Sequence, residues 1–197
     1  MSISRFAAAA VLGLGACGVA TAVAAADTHT AQLATWTPKE QRFVYQGFTT
    51  HYSCDGLREK VRSALLSLGA RKSLTVSESG CSSPRGGPEP FPGVAIKMQV
   101  LTPVTAATAQ VAADPASVPA HWQTIDLRLD QDTLGASGDC ELLEQIKQSI
   151  LPLFTTRNIQ YSSNCVPHQL STGGTQLRVE ILVPDAPDVK PAAKAAQ

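Results

Sequence analysis

Apolar positions along this chain change period in a fixed order, and that order occurs twice. Between Cys54 and Cys81 the sequence runs Leu57, Val61, Leu65, Leu66, Leu68, then Leu74 and Val76. Leu57, Val61, Ala64, Leu65 and Leu68 fall on one side of a helix, while Arg58, Glu59, Arg62 and Ser63 fall on the other. Ser53 is suited to cap the start of that helix and Gly69 to stop it. Leu74 and Val76 then alternate with polar neighbours over Ser73–Ser77, the period of a half-buried strand. Upstream, the aromatic and β-branched runs Gln41–Tyr45 and Phe48–Tyr52 flank Gly47 and predict a bulged strand or a tight hairpin. Downstream, Val94, Ile96, Met98 and Val100 alternate in a closing strand that Pro103 stops.

The second round lies between Cys140 and Cys165, with Ile146, Ile150, Leu151 and Leu153 followed by Ile159 and Tyr161. It superposes on the first at a shift of 85 residues, with single-residue gaps near both ends. Trp36 precedes Cys54 by 18 residues, and Trp122 precedes Cys140 by 18. Ile96–Pro103 matches Leu177–Pro184 position by position in kind. Ile125, Leu127 and Leu129 predict the opening strand of this round, and Asp139 takes the cap position that Ser53 holds in the first. Pro152 ends the second helix about a turn early, because it lacks an amide donor. Asn158–Tyr161 begins a return strand, and Leu177–Val183 is the last strand.

The predicted fold class is therefore α+β: two tandem β-α-β-β modules, each with one helix packed on an antiparallel or mixed sheet and one intramodule disulfide. The expected boundaries are a signal peptide at 1–26, a flexible lead at 27–35 and a first module at 36–103. An Ala/Pro-rich linker at 104–121, a second module at 122–184 and a disordered tail at 185–197 follow. The pattern leaves open whether the two sheets join or form separate lobes.

The N-terminus adds a compartment. One positive charge in Met1–Arg5, an Ala- and Gly-rich apolar run over Phe6–Val23, and Ala24-Ala25-Ala26 before Asp27 form an export signal with an A-x-A cleavage site. Leu14-Gly15-Ala16-Cys17 resembles the lipobox of bacterial lipoproteins, which implies Cys17 as the alternative site of lipidation; the apolar run continues past Cys17, which favours ordinary cleavage. Removal of Cys17 leaves four cysteines in an oxidising compartment. Four cysteines allow three pairings, and the repeat selects Cys54–Cys81 with Cys140–Cys165. A helix of about 15 residues spans about 22 Å and a strand of about eight spans about 26 Å. The strand thus returns to the helix start, where the first cysteine waits. Closing each loop of nearly thirty residues contributes about 3–4 kcal/mol in the chain-entropy model.

Composition narrows the functions. Apolar residues make up 44% of the 197, enough for a core, whereas aromatics at 5% are few for a stacking platform. The net charge of zero argues against non-specific binding to nucleic acid or an anionic membrane, and the mature chain is expected to lack a transmembrane segment. The total hides an asymmetry: residues 36–103 carry nine basic and five acidic side chains, and residues 122–184 carry four and seven.

Each candidate chemistry meets a structural explanation. No C-x-x-C is present, so the cysteines read as structural. His51-x-x-Cys54, Cys165-x-x-His168 and Met98 bring potential ligands close in sequence, but a cysteine in a disulfide cannot ligate, and His29 and His121 have no neighbours to assist them. Hydrolase, zinc-protease, Walker and dinucleotide signatures are missing, and Gly86-Gly87 and Gly173-Gly174 read as turns. Asp139, Glu141 and Glu144 read as charges offsetting a helix dipole. Trp36 and Trp122 read as core anchors. No catalytic residue, metal or cofactor is expected. The expected function is an exported, non-catalytic binding or assembly protein of the bacterial cell envelope, with an envelope protein or polymer as partner and the free strand edges or the Ser82–Pro92 loop as docking surface. The alternatives are a periplasmic hydrolase whose site assembles from distant residues, and a metal-handling protein using His51, His168 and Met98.

Overall fold

A computed structural model of the chain describes residues 31–81, 87–105, 117–128, 139–166, 168–169 and 175–185. The expected signal peptide with Cys17, the expected lead up to residue 30 with His29, residues 82–86 of the Ser82–Pro92 loop, residues 106–116 of the expected linker, Leu129, Gly173-Gly174 and the expected tail after Asp185 lie outside the described residues.

The elements are β1 (Gln32–Val44), α1 (Cys54–Ser67), β2 (Thr75–Ser79), β3 (Gly93–Pro103), β4 (Ser117–Arg128), α2 (Cys140–Ser149), β5 (Thr156–Ser162) and β6 (Gln176–Pro184). The strands form one six-stranded sheet in the order β2-β3-β1-β4-β6-β5, antiparallel throughout. The fold is thus α+β with two helices on a single sheet, not two sheets in separate lobes.

The helices form where the sequence places them, and for the expected reasons. Ser53 is extended at φ −67° and its side chain accepts from Gly56 N–H at 3.2 Å. Gly69, at φ +81°, ends α1: its N–H donates to Leu66 O and the Ala70 N–H donates to Leu65 O, both at 3.0 Å. This double closure needs a left-handed residue, which glycine supplies without a Cβ penalty. α2 stops at Ser149, and a single 3-10 turn over Leu151–Leu153 follows, with Pro152 where no amide donor is required.

Strand alternation then sorts side chains onto two faces. Val94, Ile96, Met98 and Val100 of β3 and Leu177, Val179 and Ile181 of β6 share a single core with Leu57, Val61, Ala64 and Leu65 of α1 and Leu142, Leu143 and Ile146 of α2. Both helices therefore cover the same face, and the core is continuous across the molecule. The opposite face carries a small second cluster of Ala34, Leu101, Ala120 and Leu182 with Trp36, Val118 and Trp122 packed against it. The two tryptophans anchor this second cluster instead of the main core.

Two boundaries differ from the sequence reading. β1 begins at Gln32, inside the expected flexible lead, and β4 begins at Ser117, inside the expected linker. Those early residues make the join: Gln32–Thr35 pair with Ser117–Ala120. Their order comes from long-range pairing that local composition does not encode. Phe48–Tyr52 is not a strand; after Val44 the chain forms a loop that packs on the start of α2.

Candidate functional site

The densest polar cluster lies where the β1–α1 loop meets the start of α2. Asp139 is fully buried, and its carboxylate accepts from the Tyr52 hydroxyl through Oδ1 and from Lys60 Nζ through Oδ2 at 2.8 Å. Two residues on, Glu141 is 6% exposed. Its Oε2 accepts from the backbone N–H of Phe48 at 2.9 Å, from that of Thr49 at 3.1 Å, and from the Tyr45 hydroxyl at 3.3 Å; its Oε1 accepts from Thr49 Oγ1 at 3.1 Å. Tyr45 and Tyr52 meet edge to face with centroids 4.8 Å apart. Gln145 continues the contact: its side chain accepts from Gln46 N–H and donates to Gln46 O.

The sequence reading of these carboxylates is corrected here. Asp139 stands at the cap position of α2 but makes no capping hydrogen bond through its side chain, and both its partners come from the first half of the chain. The signal for this arrangement is chemical: two tyrosines and a lysine fall within 16 residues, across the β1–α1 loop and the first half of α1, and once buried they need acceptors. Burial pushes both phenols upward from the usual tyrosine range. The Glu141 charge adds to the effect for Tyr45, and the hydrogen bond to Asp139 adds to it for Tyr52. Neither phenol is suited to act as a base. The carboxylates are enclosed and consumed by protein donors, so the cluster works as a tie between the halves.

The helix-free face is the other candidate. Arg71 stacks its guanidinium over the Trp36 ring at 5.3 Å and donates to Gln99 Oε1 at 2.9 Å. Arg157 stacks over Trp122 at 4.3 Å and pairs with Glu180 at 2.5 Å. Donation from Asn158 and Arg157 holds Glu180 below the usual carboxylate range. A pocket of about 340 Å³ opens beside this second stack, lined by Gln160, Tyr161, Ser162, Gln176 and Arg178.

The disulfides are Cys54–Cys81 and Cys140–Cys165, with Cα atoms 6.3 and 5.6 Å apart. Each joins a helix start to the chain just beyond the return strand. The structure does not bring the histidine and methionine candidates together. His51 is exposed, Met98 is buried in the main core, and the His168 ring lies 5.1 Å from Phe48. Among the described residues no three His, Cys, Asp or Glu side chains converge as a metal site would require. Among them, too, no helix is long and apolar enough to cross a membrane. Set against protein-family models, curated proteins and solved structures, the chain matches none.

Proposed function

We propose that the protein is an exported, non-catalytic binding or assembly component of the bacterial cell envelope, built by duplication of one β-α-β-β unit. The observation that carries the binding reading is the closure of the Asp139–Glu141 cluster. The side chains best suited to acid–base work are buried and accept from donors of their own chain, which favours a structural role for them over catalysis. Among the described residues, the helix-free sheet face, polar around a small apolar cluster, is the surface available for recognition. Two disulfides favour an oxidising compartment, in keeping with the signal-like N-terminus.

Duplication is supported by the order of the sheet. Outward from the central pair the strands run β1, β3, β2 on one side and β4, β6, β5 on the other. Trp36 with Arg71 and Gln99 has its counterpart in Trp122 with Arg157 and Glu180. Val104 N–H donates to Leu33 O, as Asp185 N–H donates to Pro119 O. A rotation that lays Cys54 on Cys140 must also lay Trp36 on Trp122; a rotation that separates them contradicts the duplication.

The binding reading is tested by cross-linking in intact cells, followed by recovery of the protein from envelope extracts. A reproducible covalent partner, lost when surface residues of the sheet are changed, is expected. A protein that stays uncross-linked with every reagent, or that turns over an envelope substrate, overturns it.

A further inference from the structure

We infer that the helix-free face of the β5–β6 pair binds an uncharged, polyhydroxylated ligand, a sugar unit of a glycan. Cross-strand register carries the first part of this. Gln160 lies opposite Arg178, Ser162 opposite Gln176, and Asp126 of β4 opposite Arg178. Directly opposed residues point to one side of a sheet. Leu177 and Val179 point into the helix-covered core, so Gln176 and Arg178 point away from it. Gln160, Ser162, Gln176 and Arg178 line the 340 Å³ pocket together with Tyr161, at the small end of the range for small-molecule sites, and Asp126 reaches two of them from the neighbouring strand.

Their chemistry selects the ligand. Asp126 Oδ2 accepts from Gln176 Nε2 at 2.6 Å, which holds the amide in place, and forms an ion pair with Arg178 Nη2 at 3.5 Å, which balances the guanidinium's charge. Farther along the same face, Glu180 balances Arg157 in the same way. The pocket therefore offers planar polar groups with no net charge. Amides and a hydroxyl each donate and accept, as sugar hydroxyls do. An anion would meet the Asp126 carboxylate behind the one cation. An apolar ligand would meet too few apolar atoms, since pockets for such ligands are lined mainly by hydrophobic side chains. A peptide added as a further strand would need an even edge, and β5 is broken by a bulge between Arg157 and Gln160, with Asn158 at φ +51°.

This inference rests on the binding-protein reading and gives that reading a ligand class. The test is an amide NMR titration of the mature chain with N,N′-diacetylchitobiose, and in parallel with digalacturonate as the anionic counterpart. Saturable shifts confined to residues 156–162 and 176–180 with the neutral disaccharide are expected. Gln160→Ala and Arg178→Ala should each weaken binding tenfold or more, while Lys97→Ala on the other half of the face should leave it unchanged. Tighter binding of digalacturonate overturns the uncharged ligand class. No saturable shift with either sugar up to about 10 mM, a concentration that reveals millimolar affinity, overturns the site. Cross-linking to an envelope protein together with that silence would sink this inference and leave the binding-protein reading standing.

Discussion

Lys60 and Asp139 show how a pair 79 residues apart in sequence can decide how two halves of a chain meet. The Asp139 carboxylate is wholly buried and Lys60 is 19% exposed, so solvent screens the pair little. Breaking a buried pair by removing one partner costs about 3–5 kcal/mol, because the remaining charge stays desolvated. Lys60→Met should therefore lower the unfolding free energy by roughly that amount in urea titrations, although it retains the apolar stem. An unchanged urea midpoint would show that the pair is not formed in solution. The neighbouring phenols give a pH signature. Tyr45 and Tyr52 hold their protons above the range in which an unfolded tyrosine, with a pKa of about 10, releases its own. A group whose folded pKa is raised contributes stability that is intact below the unfolded value and is lost as pH rises beyond it. Stability should thus fall above about pH 10. The tyrosinate absorbance of these two residues should appear together with loss of far-UV circular dichroism. Ordinary titration of all three tyrosines with the fold intact would contradict the buried cluster.

At the scale of elements, the helices, the main-core strands and the disulfide partners were legible because each depends on local periodicity and a nearby stop signal. Ser53, Gly69 and Pro152 act within a turn of where they sit, so the sequence carries their effect directly. The expected modules start at Trp36 and Trp122, and their opening strands only at Gln41 and Ile125, because Gln32–Thr35 and Ser117–Ala120 become strands only by pairing with one another. The Asp139–Glu141 cluster was hidden for a related reason. An acidic residue at a helix start has a sufficient local role, and nothing nearby in sequence names a tyrosine 87 residues away as its partner. The disulfides are element-scale staples. Replacing both Cys140 and Cys165 by serine frees a 25-residue separation and should cost about 3–4 kcal/mol, read from the shift in urea midpoint against a fixed slope. A loss under about 1 kcal/mol would mean that the second helix is held chiefly by its packing.

At the scale of the whole molecule, a shared core joins the halves together with the short central pairing of β1 and β4. Gly69, after α1, approaches Ile181 of β6, and Thr155, before β5, donates to Leu101 O of β3 at 3.0 Å, so each half touches a strand of the other beyond the central pair. Such interlocking predicts one cooperative unfolding transition. Trp36 and Trp122 report on different halves. Fluorescence of Trp36→Phe and of Trp122→Phe should each follow the circular-dichroism curve of the same variant. A fluorescence transition that precedes loss of helicity in either variant would instead show two independently melting lobes.

The same architecture, in an oxidising compartment, is what the binding reading requires. The most direct test is a non-reducing peptide map, by mass spectrometry, of the protein purified from fractionated native cells. Bridges Cys54–Cys81 and Cys140–Cys165, with a mature start near Asp27, are the predicted result. Free thiols, crossed bridges or a lipid on Cys17 would contradict the exported, twice-stapled binding protein proposed here.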